Sequence, residues 1–198
     1  MSKLEQILQL VGEYITEEGN TEWVAGKDWV SYSGPTFDKN EYVAAVKSLL
    51  SQWLIIGEKG RQFEIEFAKL MGATDGVLTN SGSSANLLMV AALTSRDMPT
   101  RLKLNPGDKI ITPIVCFPTT LNPIIQNGFT PVFVDVTLPD LNLDLDQVEK
   151  ELKDDPTIRG IMFAHVLGNP PNMDRLMELV EKYDLIFLED CCDALGST

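Results

Sequence analysis

One histidine, His165, and three cysteines, Cys116, Cys191 and Cys192, are all that this 198-residue chain offers in imidazole and thiol side chains. With no CxxC pair among them, a self-contained zinc site is not expected. Two of the three cysteines are adjacent, which is not the spacing of a secreted disulfide framework. No stretch approaches ~20 consecutive apolar residues, so a membrane span is not expected. The opening Met1-Ser2-Lys3-Leu4-Glu5-Gln6 lacks the basic and apolar regions of a secretory signal, and a cytoplasmic location is the expectation. Internal repeats and low-complexity tracts are missing too. Basic charge is scarce: 16 Lys and Arg stand against 29 Asp and Glu, for a net charge of −13. Such a chain repels phosphate backbones, which argues against DNA or RNA as a partner. A small phosphorylated ligand remains open, because a helix N-terminus binds phosphate locally whatever the net charge.

What is present reads as α/β. Residues 3–18 form an amphipathic pattern with Leu4, Ile7, Leu8, Val11 and Ile15 on one face, and Gly19 and Asn20 are the expected stop. Residues 23–35, with Gly26, Gly34 and Pro35, read as an irregular arm. Asp38 is placed to cap a second helix running to 54, and 61–71 makes a third. From Gly76 onward apolar strand patterns at 76–79, 109–112, 131–136, 159–164 and 185–189 alternate with helical ones at 83–94, 118–127, 145–152 and 173–183. Buried apolar runs joined by helical crossovers predict a mostly parallel sheet with helices on both faces. Ligands of such sheets gather at the carboxyl ends of the strands, which directs attention to Asn80, Pro113, Asp135, His165 and Asp190.

Two of these positions carry chemistry. The run Asn80-Ser81-Gly82-Ser83-Ser84-Ala85-Asn86 leads from a strand pattern into an apolar helix. Gly82 admits a close approach, the next amides sit at the positive end of the helix, and three serines add hydroxyls, so the run suits a phosphate. A plain serine helix cap explains the same residues. The run is neither a P-loop nor GxGxxG. Asp190 ends an apolar strand and precedes Cys191-Cys192-Asp193-Ala194-Leu195-Gly196. A carboxylate there suits a protonated pyridine nitrogen, keeping an aromatic cofactor cationic, or it caps the following turn.

Taken in order, Thr79 to Asn86, Pro106-Gly107-Asp108, Phe117-Pro118-Thr119-Thr120, Pro131 to Asp135, Ala164 to Pro170 and Glu189 to Gly196 resemble the DegT/DnrJ/EryC1/StrS sugar aminotransferase and dehydrase family on the aspartate-aminotransferase fold. Asp190-Cys191-Cys192-Asp193 is most similar to the CDP-4-dehydro-6-deoxyglucose 3-dehydrases of dideoxysugar and lipopolysaccharide O-antigen synthesis. The resemblance implies pyridoxamine or pyridoxal phosphate as cofactor, with Gly82 and Ser83 at its phosphate, Phe117 stacked on its ring, Asp190 at its ring nitrogen and Asp193 near its hydroxyl. It implies Cys192 as one ligand of a 2Fe-2S iron-sulfur cluster, a nucleotide-linked 4-keto-6-deoxysugar as substrate, a reductase partner and a homodimer. His165 is expected to line or pack the pocket, and Asp135 to cap a turn. Residues 1–56 are then N-terminal helices and arm, and 57–198 an incomplete transferase large domain. The family's Schiff-base lysine or catalytic histidine, its C-terminal domain and three further cluster cysteines have no counterpart in this sequence. No catalytic residue is therefore assigned, and the chain is expected to be an N-terminal portion, inactive alone, with an exposed apolar face or sheet edge; a sugar aminotransferase of the same family and a noncatalytic split-gene half or remnant are the alternatives.

Overall fold

The computed structural model describes residues 1–18, 23–31, 34–138 and 140–197. Gly19 and Asn20, the expected helix stop, lie outside the described residues, as do Tyr32 and Ser33 of the arm. The chain divides into two compact units, Met1–Val77 and Leu78–Thr198.

The first unit carries three helices, α1 (Lys3–Glu18), α2 (Lys39–Leu50) and α3 (Glu58–Leu70). Asp38 caps α2 in a reciprocal box: its carboxylate accepts from the Asn40 amide at 2.6 Å, while its own amide donates to Glu41 at 2.7 Å. The helix ends at Leu50 rather than 54, because Gln52 adopts φ 62° and turns the chain out of the helical path. α1 meets α2 closely at Gly12, where an added Cβ would touch Val43 at 3.7 Å. The tail of α3 folds back on its helix. The Ala73 amide donates to the Ala68 carbonyl at 2.9 Å, and a Cβ on Gly76 would lie 2.7 Å from the Glu64 carbonyl oxygen. The first unit ends at Val77 and includes α3.

In the second unit α4 (Gly82–Ala92) precedes four parallel strands, β1 (Lys109–Pro113), β2 (Thr130–Val134), β3 (Ile158–Ala164) and β4 (Ile186–Asp190), in the order β2-β1-β3-β4. The crossovers are α5 (Pro118–Gln126), α6 (Leu145–Asp154) and α7 (Met173–Lys182). Strand periodicity sorts the core into two layers. Ile111, Ile161 and Phe163 pack against Val148, Leu152, Leu176 and Leu179 of α6 and α7. Ile110, Met162, Ile186 and Leu188 pack with Val90 of α4 and Ile124 of α5. Helices thus cover both faces, as the alternating pattern predicts. β2 and β4 are the edges of this sheet, and Phe133 on β2 is exposed.

The expected strand at 76–79 does not form. A strand exists only through its ladder partners, and the sheet of the described residues does not include this segment. Thr79 instead closes a local turn, its hydroxyl donating to the Ser81 carbonyl at 2.9 Å. The expected strand at 131–136 ends at Val134, after which Val136 makes an isolated antiparallel bridge to Leu143. Among the described residues no helix is long and apolar enough to cross a membrane.

Candidate active site

Three chain segments meet at the carboxyl end of β4. Asp190, its last residue, accepts at Oδ2 from the Asn86 side-chain amide at 2.7 Å and from the Thr120 hydroxyl at 2.9 Å. Its other oxygen, Oδ1, accepts from the Cys192 backbone amide at 3.2 Å. Asn86 lies one turn along α4 from Gly82, a rise of about 6 Å, and on the same helix face. Thr120 lies in the first turn of α5, three positions after Phe117. The acid, the serine-glycine run and the aromatic are thereby drawn to one end of the sheet.

The start of α4 joins both explanations of the run. Ser81 is the helix cap, its hydroxyl accepting from the Ser84 amide at 3.1 Å, and its carbonyl takes the Ala85 amide. The amides of Gly82 and Ser83, preceding those two, make no hydrogen bond among the described residues. A Cβ added at Gly82 would meet nothing within 4 Å. Capping by Ser81 and anion binding by the next two amides use different donors, so they coexist. Phe117, the N-cap residue of α5, is 68% exposed, and it is not a core residue.

The remaining residues singled out from sequence are placed as follows. Asp193 is exposed; its carboxylate receives the Leu167 amide at 3.4 Å, and it does not join the Asp190 network. His165 is buried, packs edge-to-face on Phe163 at 4.8 Å and shares a 3.0 Å hydrogen bond through Nε2 with Glu189. Its backbone amide donates to the Asp190 carbonyl at 3.2 Å. Asp135 caps the turn after β2, its carboxylate accepting from the Val136 amide at 2.8 Å. Burial pushes the Cys116 thiol pKa up.

The structure does not bring a ligand set to Cys192. That residue is exposed, and the one group of metal-capable atoms among the described residues is His165, Glu189 and Cys191, within 4.8 Å of one another. Burial, then Glu189 and Asp190, push the Cys191 thiol up, which opposes the thiolate that a metal takes. A 2Fe-2S cluster needs four ligands, and these residues do not supply them.

Asn86 and Thr120 are the residues that the motifs contained but did not assign. A signal was there. Asn86 directly precedes the apolar run Leu87-Leu88-Met89-Val90 of its helix, and a buried amide in such a setting must find a partner.

Comparison with known proteins decides the lineage. The profile of the DegT/DnrJ/EryC1/StrS aminotransferase family matches residues 35–198. The chain belongs to this family. Among DegT/DnrJ/EryC1/StrS relatives, dTDP-4-dehydro-2,6-dideoxy-D-glucose 3-dehydratase of Saccharopolyspora spinosa is 42% identical over 194 residues, covering 98% of this chain and 41% of the relative. The lipopolysaccharide biosynthesis protein RfbH of Salmonella typhimurium is 43% identical over 195 residues, covering 98% and 44%. The solved structure of E. coli GDP-4-keto-6-deoxy-D-mannose-3-dehydratase with bound hydrated PLP superposes with a TM-score of 0.77 at 37% identity, covering 86% of this chain and 43% of that one. The fold is that of these pyridoxal-phosphate-dependent family members. The chain spans somewhat less than half the length of the relatives it matches.

Proposed function

We propose that this chain is the cofactor-cradling N-terminal portion of a pyridoxamine- or pyridoxal-phosphate-dependent nucleotide-sugar enzyme of the DegT/DnrJ/EryC1/StrS family. The reaction in view is C3 dehydration of a nucleotide-linked 4-keto-6-deoxysugar, such as CDP-4-dehydro-6-deoxyglucose, in dideoxysugar and O-antigen synthesis. The observation that carries the reading is the anchored carboxylate of Asp190 beside the start of α4, with Asn86 joining the two. The donor set suits the cofactor. Gly82 and Ser83 offer backbone amides to a phosphate dianion at a helix N-terminus, Phe117 offers an exposed ring face, and Asp190 offers an ionised acceptor to a ring N–H.

The cofactor, when bound, supplies the electron sink that stabilises charge developing next to the sugar ketone. Asp190 holds the proton on the ring nitrogen, and Phe117 orients the ring and excludes water from one side. Gly82 and Ser83 fix the phosphate end. Asp193 is proposed near the ring hydroxyl.

The names of the relatives support dehydration: two 3-dehydratases are 42% and 38% identical to this chain. A second reading, sugar amino transfer, is favoured by the aminotransferase of Psychrobacter cryohalolentis, which shares the fold with a TM-score of 0.72 at 29% identity. A cytoplasmic homodimer served by a reductase, with the cluster in a complete enzyme that includes Cys192 among its ligands, completes the proposal.

The test is cofactor uptake. Pyridoxal 5′-phosphate added to the purified chain, alone and with a coexpressed C-terminal half of a relative, is followed by near-ultraviolet absorbance and tryptophan quenching. Saturable uptake is expected; its failure in both preparations overturns the proposal.

A further inference from the structure

Oδ2 of Asp190 receives two neutral side-chain donors, and both are deeply buried. Thr120 is 0% and Asn86 5% exposed. The Asn86 amide nitrogen also donates to the Thr119 carbonyl at 3.2 Å. Both of its partners are acceptors, so the nitrogen and not the amide oxygen must face them, and the plane of the amide is set. The Thr120 hydroxyl approaches from a different helix. A carboxylate held by two donors on one oxygen, from two helices, has its plane and rotation fixed. Its other oxygen has one backbone donor, the Cys192 amide, and keeps a lone pair for a further N–H.

We infer that Asn86 and Thr120 are positioning residues that aim Oδ1 of Asp190 at the ring N–H of a pyridoxal-type ligand. The inference rests on the functional reading above and adds to it the devices that make the acid selective for a ring bearing nitrogen. Neither residue touches the ligand. Their contribution passes through Asp190 alone, and that gives it a signature: it vanishes when the ring nitrogen does.

The experiment uses the full chain and three variants, Thr120→Val, Thr120→Ser and Asn86→Leu. Each is titrated with pyridoxal 5′-phosphate and with its 1-carba analogue, in which CH replaces the ring nitrogen, and thermal melts check folding. Thr120→Val and Asn86→Leu are expected to weaken pyridoxal phosphate about tenfold, the scale of one hydrogen bond to a charged group, while leaving the analogue within about twofold. Thr120→Ser keeps the hydroxyl and is expected to restore binding. Equal losses for both ligands, or no loss for either, overturn the inference and leave the functional reading standing. An unsubstituted chain that binds neither ligand, alone and with the coexpressed C-terminal half, overturns both. Thr120→Val is close to isosteric and carries the test by itself if Asn86→Leu does not fold.

Discussion

Asn86 in α4 donates its side-chain amide to Asp190 at the end of β4, across 104 positions of sequence and a distance of 2.7 Å. The contact joins the helix that begins at the serine-glycine run to the acid that ends the sheet. Its consequences for binding and stability can be separated by substitution.

Asp190→Asn keeps the size of the side chain and an oxygen for Thr120 but removes the charge. Pyridoxal phosphate affinity is expected to fall about 10- to 100-fold, as a charge-assisted hydrogen bond is worth about 1.5–3 kcal/mol. Spectroscopic titration of the variant measures it. Wild-type affinity in Asp190→Asn would remove the carboxylate from the site.

Phe117→Ala separates stacking from packing. Because the ring is exposed, the melting temperature should hardly move, with a stability change within about 0.5 kcal/mol. Cofactor affinity should drop about two- to tenfold, from loss of a stacking contact worth about 0.5–1.5 kcal/mol. A large stability loss would return Phe117 to the core.

Gly160→Ala tests the β3–β4 ladder. A Cβ there would stand 3.0 Å from the Ile186 carbonyl oxygen and 3.5 Å from the Ile186 Cβ, between paired strands. Overpacking of this kind costs about 1–3 kcal/mol. Urea denaturation of the second unit should show a lowered midpoint at unchanged slope.

One source of acid sensitivity is the Asp155 carboxylate. Lys109 at the start of β1 pairs with Asp155 at the end of α6, and this contact, followed by Thr157, lowers the Asp155 pKa from 3.8 to about 2. The folded-state value lies below the unfolded one. The stabilisation is therefore complete above about pH 4 and is lost as the pH falls toward 2. Asp155→Asn should flatten that part of the stability–pH curve, measured by urea midpoints at a series of pH values, and high salt should weaken the same feature.

The strands in the second half of the chain were legible because burial on both faces writes itself as unbroken apolar runs. Residues 159–164, expected as strand, differ from β3 by one residue. The segment 76–79 has the same local character and is no strand, since pairing is decided by distant residues that no local pattern reveals. The end of α2 was misjudged for a related reason: nothing in the composition of 51–54 announces the left-handed turn at Gln52. In the site, Asp190 and the start of α4 could be picked out because each sits where a strand or helix ends. The roles of Asn86 and Thr120 could not, because hydrogen bonds spanning 104 and 70 positions depend on the strand order β2-β1-β3-β4.

The same separation has a consequence for synthesis. At roughly 5–20 residues per second, Asn86 is added to the chain about 5–20 s before its carboxylate partner exists. Through that interval the Thr120 hydroxyl of α5 and the Asn86 amide of α4 lack their carboxylate acceptor, Asn86 having only the Thr119 carbonyl, and β3 waits with one edge unpaired. The arrival of β4 closes that edge of β3 and brings the Asp190 carboxylate to both donors, so strand pairing and assembly of the Asp190 network coincide.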